Sequence, residues 1–158
     1  MLFRSGFLYA NSGWGRTFKI DVRNPKRGDL LWIHDPAIIH TGNSSLTRGI
    51  AMFDNAILNA TQDGRVLSIN RDNGELVWDN QVAITNEWGS RERFNSQPLI
   101  ADGKIIVQNG AGDSGANGWV AALSPIDGRE LWRWEVIPRP GQPGAETWKD
   151  IGNNAWQH

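Results

Sequence analysis

Apolar residues along this chain come in short, often alternating runs that break off at Gly, Asp or Asn. No stretch sustains a 3.6-residue period with capping residues, so strands and tight turns are the expected elements. Aligning the chain on itself yields three copies of one pattern. They are FKIDVRNPKRGDLLW ending at Trp32, VLSINRDNGELVW ending at Trp78, and VAALSPIDGRELW ending at Trp132. In each, a short apolar strand meets a polar turn, and a Gly (Gly28, Gly74, Gly128) lies four residues before the Trp. The first turn is longer, by an insertion around Asn24 to Arg27. Leu76 and Trp78, apolar at alternate positions, read as the returning strand of a hairpin. Upstream of each copy lies another hairpin signal, at Ser5-Gly6, Asp54-Asn55 and Asp102-Gly103, pairs suited to turns that need positive φ.

Each unit is thus about four strands, with the repeated Trp spaced by 46 residues (Trp32 to Trp78) and 54 (Trp78 to Trp132). Four short strands at a period near 45–50 residues predict an all-β fold, a partial β-propeller of about three four-stranded blades. A β-sandwich is the structural competitor, but it has no reason to repeat Gly-x-x-x-Trp. The expected boundaries are blade 1 at about 1–35, blade 2 at about 46–80, blade 3 at about 95–135, and the start of a further blade at about 145–158. Trp32, Trp78 and Trp132 are expected to dock each blade on its neighbour. Three units are too few to close a ring, so the chain reads as cut at both ends.

Composition narrows the classes further. At 158 residues with 39% hydrophobic and 21% charged residues, the chain suits a folded globular domain. A net charge of −1 gives no footprint for nucleic acid or anionic membrane. There is no cysteine, which excludes disulfides and thiolate chemistry. No apolar run reaches the roughly 18 residues of a membrane span. The N-terminal run is interrupted at Arg4, Ser5 and Gly6 and does not read as a signal peptide.

Candidate chemistry concentrates in Asn109 to Gly118. Four glycines there allow close backbone approach to a ligand, and Asp113 supplies one hard oxygen donor suited to Ca²⁺. Taken alone, such a Gly-rich, Asp-containing connection between strands is more often a plain turn. A nucleotide site is a poor fit, since no phosphate-loop Lys-Ser/Thr follows. His34, His40 and His158 lack metal-ligand spacing and read as solvated loop residues. Asn43-Ser44-Ser45 and Asn59-Ala60-Thr61 match glycosylation sequons, a pattern common by chance.

Together these segments resemble the quinoprotein alcohol dehydrogenases, eight-bladed propellers that use pyrroloquinoline quinone (PQQ). The Trp repeat VAALSPIDGRELW, the run from Thr47-Arg48-Gly49 to Trp78, the segment SQPLIADGKIIVQNGAGDSGANGWVAAL and the tail PGAETWKDIGNNAW carry the likeness, in order, over nearly the whole chain. The resemblance implies that Arg48 contacts the quinone and that Asn95 stands where a Thr often hydrogen-bonds it. It places Gly110, Ala111 and Gly112 close to the cofactor and Trp156 as the stacking floor beneath it. Asp113 falls where the family has a Glu coordinating Ca²⁺ or a lanthanide. With Gly115 two residues on and no second carboxylate, Ca²⁺ is the expected metal. Trp14, Trp88, Trp119, Trp134 and Trp148 are left as packing or loop residues.

There are departures. The family's adjacent cysteine pair would fall near Gly42-Asn43 and is absent, and Asp113 is one methylene shorter than Glu. No catalytic residue is expected in the chain itself, because the resemblance places the general base and an Asn metal ligand beyond His158. The implied activity is oxidation of a small alcohol with PQQ and Ca²⁺, electrons passing to a cytochrome c-type acceptor, in the periplasm. The isolated chain is expected to be inactive. The rival expectation is a non-catalytic propeller scaffold of the outer-membrane assembly type, or an inactive truncated product.

Overall fold

In the computed structural model, residues 1–38, 47–84, 92–110 and 117–147 are described. Among them the backbone forms twelve strands in three antiparallel four-stranded sheets, each meandering in chain order. Blade 1 comprises β1 (Leu2–Arg4), β2 (Phe7–Asn11), β3 (Thr17–Asp21) and β4 (Asp29–His34). Blade 2 comprises β5 (Ala51–Phe53), β6 (Ala56–Ala60), β7 (Arg65–Asn70) and β8 (Leu76–Gln81). Blade 3 comprises β9 (Leu99–Ala101), β10 (Lys104–Gln108), β11 (Trp119–Leu123) and β12 (Glu130–Glu135). The N-terminal run is thus the first hairpin of blade 1, turned at Ser5 (φ 52°) and Gly6 (φ 83°). The first-hairpin turns of the other blades also carry a positive φ, at Asp54 (47°) and Asp102 (46°).

The blades pack face to face through apolar side chains. Tyr9, Ile50, Ile57, Leu67 and Ile69 form the core between blades 1 and 2, with Leu2, Phe7, Trp32 and Met52 against it. A larger core between blades 2 and 3 includes Leu58, Val66, Phe94, Ile105, Val107 and Trp119. Alternation along each strand makes this possible: in β6, Ile57 joins one core while Leu58 joins the other. Blade 2 is therefore apolar on both faces, as a layer between two layers must be. Lys19, almost fully buried, extends its ammonium 4.6 Å from the Phe7 ring centroid and donates to the Asp72 carbonyl at 3.3 Å.

The repeated Trp docks as the pattern predicts. Trp32 Nε1 donates to the Arg71 carbonyl at 3.2 Å, and Trp78 Nε1 to that of Pro125 at 3.3 Å. Each ring lies over the next blade's glycine. A Cβ on Gly74 would come within 2.8 Å of the Trp32 ring, and one on Gly128 within 2.7 Å of the Trp78 ring. Both glycines also sit at positive φ (79° and 71°), so two independent constraints select Gly there. His34 departs from its expectation as a solvated loop residue: it ends β4, and its Nδ1 lies 3.1 Å from the Gly74 carbonyl.

A feature the sequence pattern did not reveal recurs in all three blades. Lys19 pairs with Trp32 but Ile20 with Leu30; Ser68 pairs with Trp78 but Ile69 with Leu76; Ala122 pairs with Trp132 but Leu123 with Glu130. One residue (Leu31, Val77, Leu131) is left over each time, a β-bulge immediately before the Trp. Leu76 and Trp78 would share a face in a regular strand; opposite Ile69 and Ser68 they lie on opposite faces.

Candidate functional site

Strand order fixes which segments share an edge of the blades. Because neighbouring strands are antiparallel, the residues leading into β5 and β9 meet the turns that follow β2, β6 and β10. Arg48, Asn95 and the residues that begin and end the connection between β10 and β11 (109, 110, 117 and 118) therefore lie along one edge, with the docking turns at Arg71 and Pro125 on the other.

Arg48 is exposed on that edge while its neighbours are fixed. Thr47 Oγ1 donates to the Gly13 carbonyl of blade 1 at 3.0 Å, and Ile50 is fully buried. Gly49 adopts φ 142°, and a Cβ there would lie 2.6 Å from Gln97 Oε1 and 3.2 Å from Gln97 Cβ. The segment carrying Arg48 is thereby pressed against the segment carrying Asn95. The Arg48 guanidinium makes no ion pair among the described residues.

Asn95 in turn meets Gly110. Its Nδ2 donates to the Gly110 carbonyl at 3.4 Å, and Gly110 N donates to the Arg93 carbonyl at 2.9 Å. A Cβ on Gly110 would fall on the Asn95 amide, 2.8 Å from its Cγ, so this glycine is required by close approach. Gly110 is open to solvent, whereas Asn95 Oδ1 is buried and has no hydrogen-bond partner among the described residues. Asn109 closes the neck of the connection. Its Oδ1 accepts from Trp119 N at 2.9 Å, and its Nδ2 donates to the Asn117 carbonyl.

Beneath this neck lies a cluster that the sequence reading did not single out. Glu92, nearly fully buried, accepts from the Trp119 indole N–H at 2.9 Å and from Ile84 N at 3.1 Å. Phe94 meets Trp119 edge-on, with centroids 5.8 Å apart, and the Arg133 guanidinium stacks 3.9 Å from the Trp119 ring. Arg133 also donates to the Val82 carbonyl at 3.0 Å, tying blade 3 to blade 2. Trp119 is packing, as expected. Glu92 and Asn109 carried no motif; a carboxylate in the connection leading to blade 3 and an Asn opening a Gly-rich run were the signals available.

Of the expected site residues, the structure brings Asn95 and Gly110 into contact and places Arg48 beside them through Gly49 and Gln97. Ala111, Gly112, Asp113 and Trp156 lie outside the described residues. Among the described residues no three His, Asp or Glu side chains gather as a metal site. Nor, among these residues, is any helix long and apolar enough to cross a membrane. For an anionic, planar, hydrogen-bonding cofactor the residues present are compatible: an exposed guanidinium, an open Gly backbone and an unpartnered buried carbonyl oxygen.

A sheet stack locked by Trp-on-Gly docking and opening a polar edge defines a quinoprotein-type β-propeller repeat. The chain belongs to the family described as "Outer membrane protein assembly factor BamB", whose profile matches residues 16–147. It is also similar to the dehydrogenase subunit of a quinone-type alcohol dehydrogenase from Gluconacetobacter polyoxogenes, 30% identical over 96% of this chain and 21% of that protein. The 1-butanol dehydrogenase (cytochrome c) of Thauera butanivorans is 26% identical over 93% of this chain and 22% of its own length. Among solved structures, the quinohemoprotein alcohol dehydrogenase of Comamonas testosteroni superposes with a TM-score of 0.73 at 25% identity, covering 87% of this chain and 21% of that one. The chain thus spans about a fifth of the curated relatives it matches. The resemblance to quinoprotein alcohol dehydrogenases and the partial-propeller expectation both hold.

Proposed function

We propose that the chain forms part of an alcohol dehydrogenase that uses PQQ, with the quinone held over the edge carrying Arg48, Asn95 and Gly110. The observation that supports this best is the contact of Gly49 with Gln97 and of Gly110 with Asn95, which presses the segment carrying the exposed Arg48 against the segment that meets the open Gly110 backbone. In this reading Arg48 binds the cofactor's carboxylates, for which a planar guanidinium is well matched. Asn95 supplies hydrogen bonds, Gly110, Ala111 and Gly112 allow the quinone to lie close to the main chain, and Trp156 stacks beneath it. Asp113 contributes one oxygen to Ca²⁺ rather than a lanthanide. When bound, PQQ supplies a two-electron oxidant and the metal a Lewis acid. The proton-abstracting base, a further metal ligand, a cytochrome c-type acceptor and a periplasmic setting belong to the whole protein in this proposal.

The test is cofactor binding by the whole protein, followed by PQQ absorbance on titration and by calcium content after gel filtration. Replacing Arg48 by Gln is expected to weaken PQQ binding roughly 10- to 100-fold, the loss of about one charge-assisted bidentate contact. Asp113→Ala is expected to lower bound calcium while leaving the far-UV spectrum unchanged. The isolated 158-residue chain is expected to give no PQQ-dependent dye reduction with alcohols, and measurable turnover would overturn that part. A second reading, a non-catalytic assembly scaffold, is favoured by the family description matched over residues 16–147. It replaces the first if the whole protein binds no PQQ and Arg48→Gln changes nothing.

A further inference from the structure

Blades 1 and 2 meet along a seam, and on the edge of the docking turns that seam opens into a recess of about 200 Å³. Arg4, Phe7, Tyr9 and Lys19 line it from blade 1, and Arg71 and Asp72 from the turn between β7 and β8 of blade 2. Both walls are built by strands and turns within this chain, so the recess does not depend on what adjoins the outer faces of blades 1 and 3. It lies on the edge opposite Arg48.

Two polar groups at its buried end lack the partners that burial demands. Tyr9 is 2% exposed, yet its hydroxyl makes no hydrogen bond among the described residues. The charges of Arg71, Asp72 and Arg4 all act on that phenol, which sets its oxygen towards the recess. Burial raises the phenol above the usual tyrosine value, so at neutral pH it is an O–H donor. Lys19 is 6% exposed and carries three N–H donors, but its one hydrogen bond among the described residues is the 3.3 Å contact with the Asp72 carbonyl. Buried donors of this kind mark a place where an acceptor belongs.

The charge around the recess points to the same guest. Three cations line it against a single carboxylate. Asp72 Oδ1 is shared between Lys19 Nζ at 3.9 Å and Arg71 Nε at 3.5 Å, while 65% of the Asp72 side chain faces solvent. Arg4 makes no ion pair among the described residues, and its Nη1 donates to the Met52 sulfur at 3.6 Å, a weak acceptor. The balance attracts an anion, and the nearby Asp72 carboxylate disfavours a doubly charged one. The Phe7 ring, with its centroid 4.6 Å from Lys19 Nζ, adds an apolar wall. The volume lies below the roughly 300–1,000 Å³ of pockets for drug-sized molecules, so the guest is small.

We propose that this recess binds a short-chain carboxylate, its oxygens accepting from the Tyr9 hydroxyl and the Lys19 ammonium, its apolar end against Phe7, and the Arg4 guanidinium at the mouth. The experiment is a titration of the whole protein with sodium propionate at fixed ionic strength, read by saturation transfer to the propionate methyl in NMR. Inorganic phosphate, at a mildly alkaline pH where it is a dianion, is the competitor. Saturable propionate binding is expected, with phosphate displacing it at least tenfold less effectively than propionate displaces itself. Tyr9→Phe removes the hydroxyl and keeps the ring, and Arg4→Gln alters an exposed position, so both leave the blade core intact. Each is expected to weaken binding roughly tenfold, the loss of one hydrogen bond to a charged group. The proposal is overturned if propionate binding does not saturate, or if either variant binds like wild type. Binding lost in Arg48→Gln but kept in Arg4→Gln would put the carboxylate on the other edge and overturn it too. Phosphate that competes as well as propionate would remove the assignment to a carboxylate.

Discussion

Asn59 sits fully buried between blades 1 and 2, where its Nδ2 donates to the Gly15 carbonyl at 2.6 Å and to Thr17 Oγ1 at 3.1 Å. Its place in an Asn-Ala-Thr triplet therefore has a packing explanation, and the side chain is closed to modification. Asp21 shows the opposite regime at the surface. Arg23 grips its carboxylate through side-chain hydrogen bonds, with its backbone N–H adding another at 3.0 Å, and the carboxyl is lowered to about 2. The folded pKa lies below the unfolded one, so whatever this contact contributes is present above the ordinary carboxylate range. It is lost as pH falls from about 4 towards 2. Titration of the Asp21 carboxyl carbon by NMR is expected to show that depressed midpoint. In Arg23→Gln the midpoint should return towards about 3.9, and a midpoint that stays depressed would remove Arg23 as the cause.

Among the elements, the connection from blade 2 into blade 3 depends on one carboxylate. Glu92 satisfies the buried Trp119 indole and the part-buried Ile84 amide. Truncation to Ala leaves the buried indole donor without its partner, and about 1–3 kcal/mol for such a group predicts a loss of about 1–3 kcal/mol in chemical denaturation. Glu92→Gln, which keeps a carbonyl acceptor, is expected to lose less. A change below about 0.5 kcal/mol for Glu92→Ala would mean that water replaces the carboxylate. This role was hidden in the sequence because nothing local pairs Glu92 with Trp119; the two meet only once blade 3 folds back. Asn95 and Gly110 were reachable only through resemblance, since the contact that makes Gly110 necessary joins two separate loops. The hairpins, in contrast, were legible: turn chemistry and alternation act within a few residues.

For the whole molecule, the repeat made the architecture legible, because three copies of one Trp signal fix the number of sheets before any is seen. What it could not reveal is that the copies are unequal in energy. Trp78 has a blade to dock on, whereas Trp132 is half exposed. Trp78→Ala is expected to destabilise the monomer by about 2–3 kcal/mol, somewhat below the range for a fully buried aromatic. Trp132→Ala at low protein concentration should cost less than about 1 kcal/mol. Equal losses in urea melts would show that the docking contact is not the source.

The bulge shared by β4, β8 and β12 governs where the chain tolerates changes in length. Each bulge spends one residue to bring the following Trp round to its docking side. Removing Leu31, Val77 or Leu131 would regularise the ladder and turn the indole out of line with its glycine. The turn before it is under no such restriction, and blade 1 carries its extra residues there, around Asn24 to Arg27. Insertions can therefore drift through the polar turns of successive copies, while the few residues between Gly and Trp keep a fixed count from one blade to the next.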